Sequence, residues 1–186
     1  MLKNNDFHLC FKAFTHDITG LVAIKLIAIF VFAAAPLSAA AAPRQLQSGV
    51  VTKVVDGDTL WVQTHSSARP LKVRIQGIDA PEICQAGGLQ ARDALKRKVG
   101  GQRVGVTSRA HDDYGRTVGT VHMQNEDIGR WMVGQGHAWV YKYQSRKALY
   151  SDEFSRAQQE RRGVFSVAGP EEPKAFRKRQ GNCRSR

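Results

Sequence analysis

Three carboxylates and two guanidiniums sit at spacings that could hold a metal ion beside a phosphate. Asp58 belongs to the run Asp56-Gly57-Asp58-Thr59, and Asp79 and Glu82 fall within Ile78-Asp79-Ala80-Pro81-Glu82. Arg74 precedes the second run, and Arg116 closes Asp112-Asp113-Tyr114-Gly115-Arg116. Carboxylate oxygens are hard ligands that suit Ca²⁺ or Mg²⁺. The histidines at 65, 111, 122 and 137 are scattered and no Cys pair accompanies them, which excludes a zinc spacing. A guanidinium fork matches two phosphate oxygens and stays charged at any working pH. Two forks beside a metal would offset the charge that builds on a phosphodiester under attack. The same residues also have a plainer reading. Asp56-Gly57 is a turn signal, Asp79-x-x-Glu82 is a capping box for a following helix, and the arginines are solvated strand residues. Spacing alone leaves both readings open.

The elements that must position these residues follow from periodicity. Ser48–Val55 and Asp58–Thr64 are β-rich runs joined at Asp56-Gly57, a hairpin signal. Pro70–Gln76 alternates, with Leu71, Val73 and Ile75 on one face and Lys72, Arg74 and Gln76 on the other. Leu89–Val99 carries Ala91, Ala94, Leu95 and Val99 at helical spacing and stops at Gly100-Gly101. Gln102–Ser108 and Arg116–Met123 complete five strands. Helices are predicted over Asp127–Gln135 and Ser145–Arg162, joined by the link Ala138–Tyr143, and Trp61, Trp131 and Trp139 are assigned to the core. Residues 170–186, rich in Lys and Arg, are read as an irregular basic tail. Strands first and helices after, with one helix inserted behind the third strand, give an α+β chain dominated by a small closed β-barrel of the OB type.

Composition bounds the partners. The 186 residues hold 28 Lys+Arg against 16 Asp+Glu, a formal charge of +12, so a polyanion is the natural ligand. A hydrophobic fraction of 42% excludes a disordered chain. Lys3, Lys12 and Lys25 precede the apolar run Leu26–Ala35, and Leu37-Ser38-Ala39-Ala40 supplies small residues for cleavage. Residues 1–40 therefore read as a secretory signal peptide cut after about Ala40, or else as an uncleaved anchor. The expectation is a periplasmic or secreted monomer with no stable membrane association after cleavage. Removal of the leader takes Cys10 and leaves Cys84 and Cys183. In an oxidising compartment this pair forms one disulfide or stays as two thiols.

Taken together, VVDGDTL at 54–60, VRIQGIDAPE at 73–82, DDYGR at 112–116, VGQGHAWVY at 133–141 and RRGVFS at 161–166 resemble the staphylococcal nuclease (thermonuclease) family. The resemblance spans about residues 48–177. It implies an OB-fold five-stranded barrel with three α-helices over residues 48–169, followed by the basic tail 170–186. It also implies Ca²⁺ held by Asp58, Asp79 and the carbonyl of Ala80, where the type nuclease has Thr. Arg74 and Arg116 would bind phosphate, and Glu82 would stand beside the attacking water. The implied activity is Ca²⁺-dependent hydrolysis of DNA and RNA, with the 5′-oxygen leaving to give 3′-phosphate ends. Tyr114 and Tyr141 are candidates to stack on bases or to pack in the fold. Tail residues Lys174, Arg177, Lys178, Arg179, Arg184 and Arg186 are candidates for phosphate contacts or plain solubilising charge. A disulfide between Cys84 and Cys183 would pin that tail beside the catalytic loop. Asp113 departs from the family, which often carries a basic residue there. The alternative reading is a catalytically inactive OB-fold module that binds nucleic acid.

Overall fold

The computed structural model describes residues 46–141, 148–181 and 183; the leader assignment at 1–40, together with residues 142–147 of the predicted link and third helix, lies outside the described residues. Strand β1 (Leu46–Val54) pairs antiparallel with β2 (Thr59–Thr64), and β2 pairs antiparallel with β3 (Leu71–Ile75). The opposite edge of β1 pairs with β5 (Arg103–His111), which pairs in turn with β6 (Thr117–Met123). A parallel pairing of β3 with β6, with Val73 opposite Thr117 and Ile75 opposite Gly119, closes the five strands into a barrel. The two-residue strands β4 (Ile78–Asp79) and β8 (Trp139–Val140) form a separate antiparallel pair, and β7 (Glu126–Asp127) extends β6. The OB-type architecture expected from the strand order is the one observed.

Alternation fills the barrel. Leu60, Val62, Val73, Ile75, Val104, Val106 and Val121 all point inward and are buried. Each such side chain contributes about 1.5–3 kcal/mol of burial energy. Helix α1 (Gly88–Val99) adds Ala91, Leu95 and Val99 to the same core, and α2 (Ile128–Gly134) adds Ile128, Met132 and Val133. Helix α2 begins where the Asp127 carboxylate accepts the Arg130 N–H. Helix α3 (Ser151–Gln159) packs with a 3₁₀ turn at Gly163–Ser166, where Phe165 meets Trp139 and Phe154 edge-on at centroid distances of 5.0 and 5.5 Å.

Four sequence expectations change. The Asp56-Gly57 hairpin is a longer turn, Val55–Asp58, in which both Val55 and Asp56 donate to the Thr59 carbonyl. Within the described residues the third predicted helix starts only at Ser151, because Tyr150 takes a left-handed φ of 63° and its hydroxyl donates to the Asp127 carboxylate at 2.9 Å. Trp139 is buried, but Trp61 and Trp131 are half-buried under lysine ammoniums, Lys53 at 4.9 Å and Lys98 at 5.0 Å from their rings. Within the described part of the tail, Pro173–Gln180 is not irregular but forms a fourth helix, α4, whereas Arg184 and Arg186 lie outside the described residues. Pro173 suits its first turn, and Arg177, Lys178 and Arg179 in its last turn complement the helix dipole. Phe176 and Pro173 anchor α4 by burial. Among the described residues, no helix is long and apolar enough to cross a membrane.

Candidate active site

Asp58 lies at the end of the β1–β2 turn, one residue before β2. Its carbonyl accepts the Ile75 N–H at 2.8 Å, and Thr59 pairs with Arg74 across β2 and β3. The turn therefore delivers the Asp58 carboxylate to the Arg74 guanidinium, and the two form an ion pair. Gly57 is what lets this turn approach. A Cβ there would stand 2.6 Å from the Ala80 Cβ and 2.8 Å from the Ala91 Cβ. The close approach is closed by the Ala80 N–H, which donates to Asp58 Oδ2 at 2.9 Å. Thr59 Oγ1 donates to Asp58 Oδ1 at 3.0 Å.

Asp79 ends β4 opposite Trp139 of β8, so the aromatic cluster around Phe165 fixes its backbone. Its carboxylate lies 3.2 Å from Arg74 Nη2, and Arg74 thus bridges Asp58 and Asp79. Both aspartates are nearly sealed, at 6% and 3% exposure. The capping-box reading fails on this geometry. Helix α1 begins at Gly88 behind a left-handed Gly87 with no side-chain cap, and the Asp79 and Glu82 carboxylates are bound by arginines instead.

Tail residue Arg177 completes the cluster, and sequence reasoning assigned it no such place. It reaches from α4 to donate through Nη1 to Asp79 Oδ1 at 3.0 Å and through Nη2 to Asp79 Oδ2 at 2.8 Å. Nη1 also meets Glu82 Oε1 at 3.2 Å. Two further links hold α4 in place. The buried Gln85 donates to the Glu171 carbonyl at 2.7 Å and accepts the Glu82 N–H at 3.2 Å. Cys84 and Cys183 are joined by a disulfide.

Charge inside the cluster is unevenly held. Burial would raise the Asp58 carboxyl, but the Arg74 charge, with the Ala80 N–H, holds it below the usual carboxylate range. Arg74 likewise overcomes its own desolvation through Asp58 and Asp79, which push its pKa upward. Asp56 is different: burial, then the neighbouring Asp58 charge, push its carboxyl up to about 7. Hydrogen bonds to Asp79 and then, against desolvation, its charge push Arg177 upward.

Arg116 stands apart from these contacts. Its Nε donates to Asp112 Oδ2 at 2.7 Å, its N–H to Asp112 Oδ1 at 2.9 Å, and its guanidinium lies 5.3 Å from the Tyr114 ring centre. Desolvation raises the Asp112 carboxyl, but the backbone and side-chain hydrogen bonds from Arg116, with its charge, together outweigh it and hold Asp112 below the usual carboxylate value. Asp112, not the exposed Asp113, holds Arg116. The register nevertheless relates the two arginines. Val118 pairs with Arg74 and shares its face of the sheet, and Arg116 immediately precedes β6, two residues before Val118. Tyr114 is 76% exposed and Tyr141 42% exposed, and the Tyr141 N–H donates to the Gly77 carbonyl beside β4. Neither ring is a core residue.

Among the described residues, no three His, Cys, Asp or Glu side chains converge into a ready metal cage. The donor chemistry still suits a hard cation. Asp58, Asp79 and Glu82 face the two guanidiniums of Arg74 and Arg177, three carboxylates against two cations. Each of those guanidiniums occupies carboxylate oxygens that a cation would use. A concavity of about 770 Å³ lies elsewhere, beside Lys98, Arg103 and His122, and includes none of these carboxylates.

Comparison with known proteins points to one family. The profile described as "Staphylococcal nuclease homologue" matches residues 72–165. An "Uncharacterized endonuclease" of Haemophilus influenzae is 34% identical over 140 residues, covering 75% of this chain and 78% of that protein. "Protein ParB" of Escherichia coli is 37% identical over 149 residues, covering 73% and 82%. "Micrococcal nuclease" of Shigella flexneri is 34% identical over 147 residues, covering 73% and 83%.

Proposed function

The chain belongs to the staphylococcal nuclease family, and from that premise we propose that it is a Ca²⁺-dependent nuclease that hydrolyses DNA and RNA. The observation that carries the reading is the meeting of Asp58 and Asp79 across Arg74 at one end of the barrel. Asp58, Asp79 and the Ala80 carbonyl would hold the metal. When bound, Ca²⁺ supplies Lewis-acid polarisation of a non-bridging phosphate oxygen. A carbonyl ligand needs no hydroxyl, so Ala80 serves where the type nuclease has Thr.

The chain's own residues then divide the work. Arg74 and Arg116 grip the scissile phosphate by bidentate forks. They stabilise the charge of the five-coordinate state. Glu82 orients a water and takes its proton as the new P–O bond forms. The P–O5′ bond breaks opposite, leaving a 3′-phosphate, and the departing 5′-oxygen takes up a proton from solvent to end as a hydroxyl. The exposed rings of Tyr114 and Tyr141 offer π-faces to bases whatever their identity, worth about 1–3 kcal/mol per stacked base. The net charge of +12 draws the polyanion without specificity. The leader reading and the Cys84–Cys183 disulfide support export to the periplasm or beyond.

The test is an in-gel assay on DNA with Ca²⁺ and with EGTA. Clearing with Ca²⁺ that EGTA abolishes is the expected result. Clearing in EGTA removes the metal requirement. Binding of DNA without any clearing identifies the inactive OB-fold module instead.

A further inference from the structure

We propose that Arg177 is an internal cation that occupies the carboxylate site and competes with the divalent metal for it. The proposal deepens the metal reading given above and rests on it. Asp79 has two oxygens, and both are engaged: Oδ2 by Arg177 Nη2 at 2.8 Å, and Oδ1 by Arg177 Nη1 at 3.0 Å and Arg74 Nη2 at 3.2 Å. The Asp79 side chain is only 5% exposed and both its oxygens are held, so a metal must displace a guanidinium to bind it. Glu82, the proposed partner of the water, is taken by the same guanidinium. One side chain therefore disables a metal ligand and the residue beside the attacking water together.

Arg177 is not drawn there by chance proximity. Three attachments from separate positions seat α4: Phe176 is buried, Gln85 holds the Glu171 carbonyl, and the disulfide joins Cys84 on the catalytic loop to Cys183 beyond the helix. Such tethering gives the guanidinium a high effective concentration at the carboxylates. A guanidinium does not lose its charge at working pH, so protons do not open the site. A cation of higher charge does. The apparent metal affinity is then the intrinsic affinity reduced by the fraction of molecules in which Arg177 has left. Linkage requires the reverse as well: metal binding must loosen α4.

Calorimetric titration of the purified protein with CaCl₂, without nucleic acid, tests the proposal. Arg177→Gln is expected to tighten Ca²⁺ binding about tenfold, within the usual range of coupling between sites. The Cys84→Ser/Cys183→Ser protein, which keeps Arg177 and loses one tether, is expected to bind more tightly than the parent and less tightly than Arg177→Gln. Hydrogen–deuterium exchange over residues 173–180 should quicken in the parent on adding Ca²⁺. Circular dichroism confirms that each variant is folded; should Arg177→Gln not fold, the double serine variant and the exchange measurement on the parent decide. Equal Ca²⁺ affinity in parent and variants, or weaker binding by Arg177→Gln, overturns the internal competitor and leaves the metal reading intact. Absence of Ca²⁺ binding in every protein overturns both.

Discussion

Arg74 and Arg116 carry the same charge in different surroundings, and that difference separates what each can do. Arg74 is wedged between two nearly sealed carboxylates, so its position is part of the fold as much as of any chemistry. Removing one member of such a pair leaves a buried charge without its partner and costs about 3–5 kcal/mol. Arg116 is held by Asp112, and its partly exposed guanidinium lies against the Tyr114 ring. It can be exchanged without unfolding the barrel. Arg116→Lys keeps the charge and loses the two-pronged contact. We expect kcat on DNA at saturating Ca²⁺ to fall about 100-fold, with Tm close to that of the parent. Steady-state rates and a thermal melt of the same preparation check this, and an unchanged kcat would remove Arg116 from phosphate binding.

At the scale of elements, the site depends on how closely the β1–β2 turn approaches the end of β4. Gly57 is required by contact, not by its φ angle, since a methyl group there overlaps Ala80 and Ala91. Gly57→Ala should cost about 1–3 kcal/mol by overpacking, and it should separate Asp58 from the Ala80 N–H. Urea unfolding and Ca²⁺ titration should therefore weaken together, whereas loss of stability with unchanged Ca²⁺ affinity would show that the turn does not set the site. The junction of α2 and β8 makes a second, pH-dependent expectation. The backbone N–H of His137 donates to the Met132 carbonyl, and burial, then the Arg97 charge, hold its imidazole below the ordinary histidine value. The unfolded chain takes up that proton first as pH falls. Stability from His137 is thus complete above about pH 6.5 and is lost as pH falls from there toward the folded value. Melting curves of the metal-free protein from about pH 5 to pH 7.5 should show a shallower slope for His137→Gln than for the parent.

Across the whole molecule, legibility followed sequence distance. Asp58, Arg74 and Asp79 were readable because each stands at the end of a short run whose alternation fixes its face. Gly57 was readable as a turn residue but not as a contact residue, since its neighbours Ala80 and Ala91 lie on other elements. Arg177 was read only as one of several tail cations. Its partner Asp79 is 98 residues away, and α4 owes its place to a buried Phe176, one glutamine and a disulfide, none of which leaves a periodic signal. Strand β8 escaped for a similar reason: two residues that pair with Ile78 and Asp79 have no pattern of their own.

The parallel closure of β3 on β6 also sets an order in time. The meander from β1 to β3 joins neighbours in sequence and brings Asp58 against Arg74 by local contacts alone. Bringing Thr117 beside Val73 requires the intervening chain, with α1 and β5, to be looped out first. Such distant pairings carry their entropy cost before any reward and form late. Pulse-labelled hydrogen exchange during refolding should protect amides of β1–β3 before those shared by β3 and β6, and simultaneous protection would contradict that order. Arg74 and Arg116, the two arginines proposed to grip phosphate, come together only at that last step. A half-folded molecule would then carry its acidic cluster before Arg116 is brought beside it, so the proposed grip on phosphate would be completed only when the barrel closes.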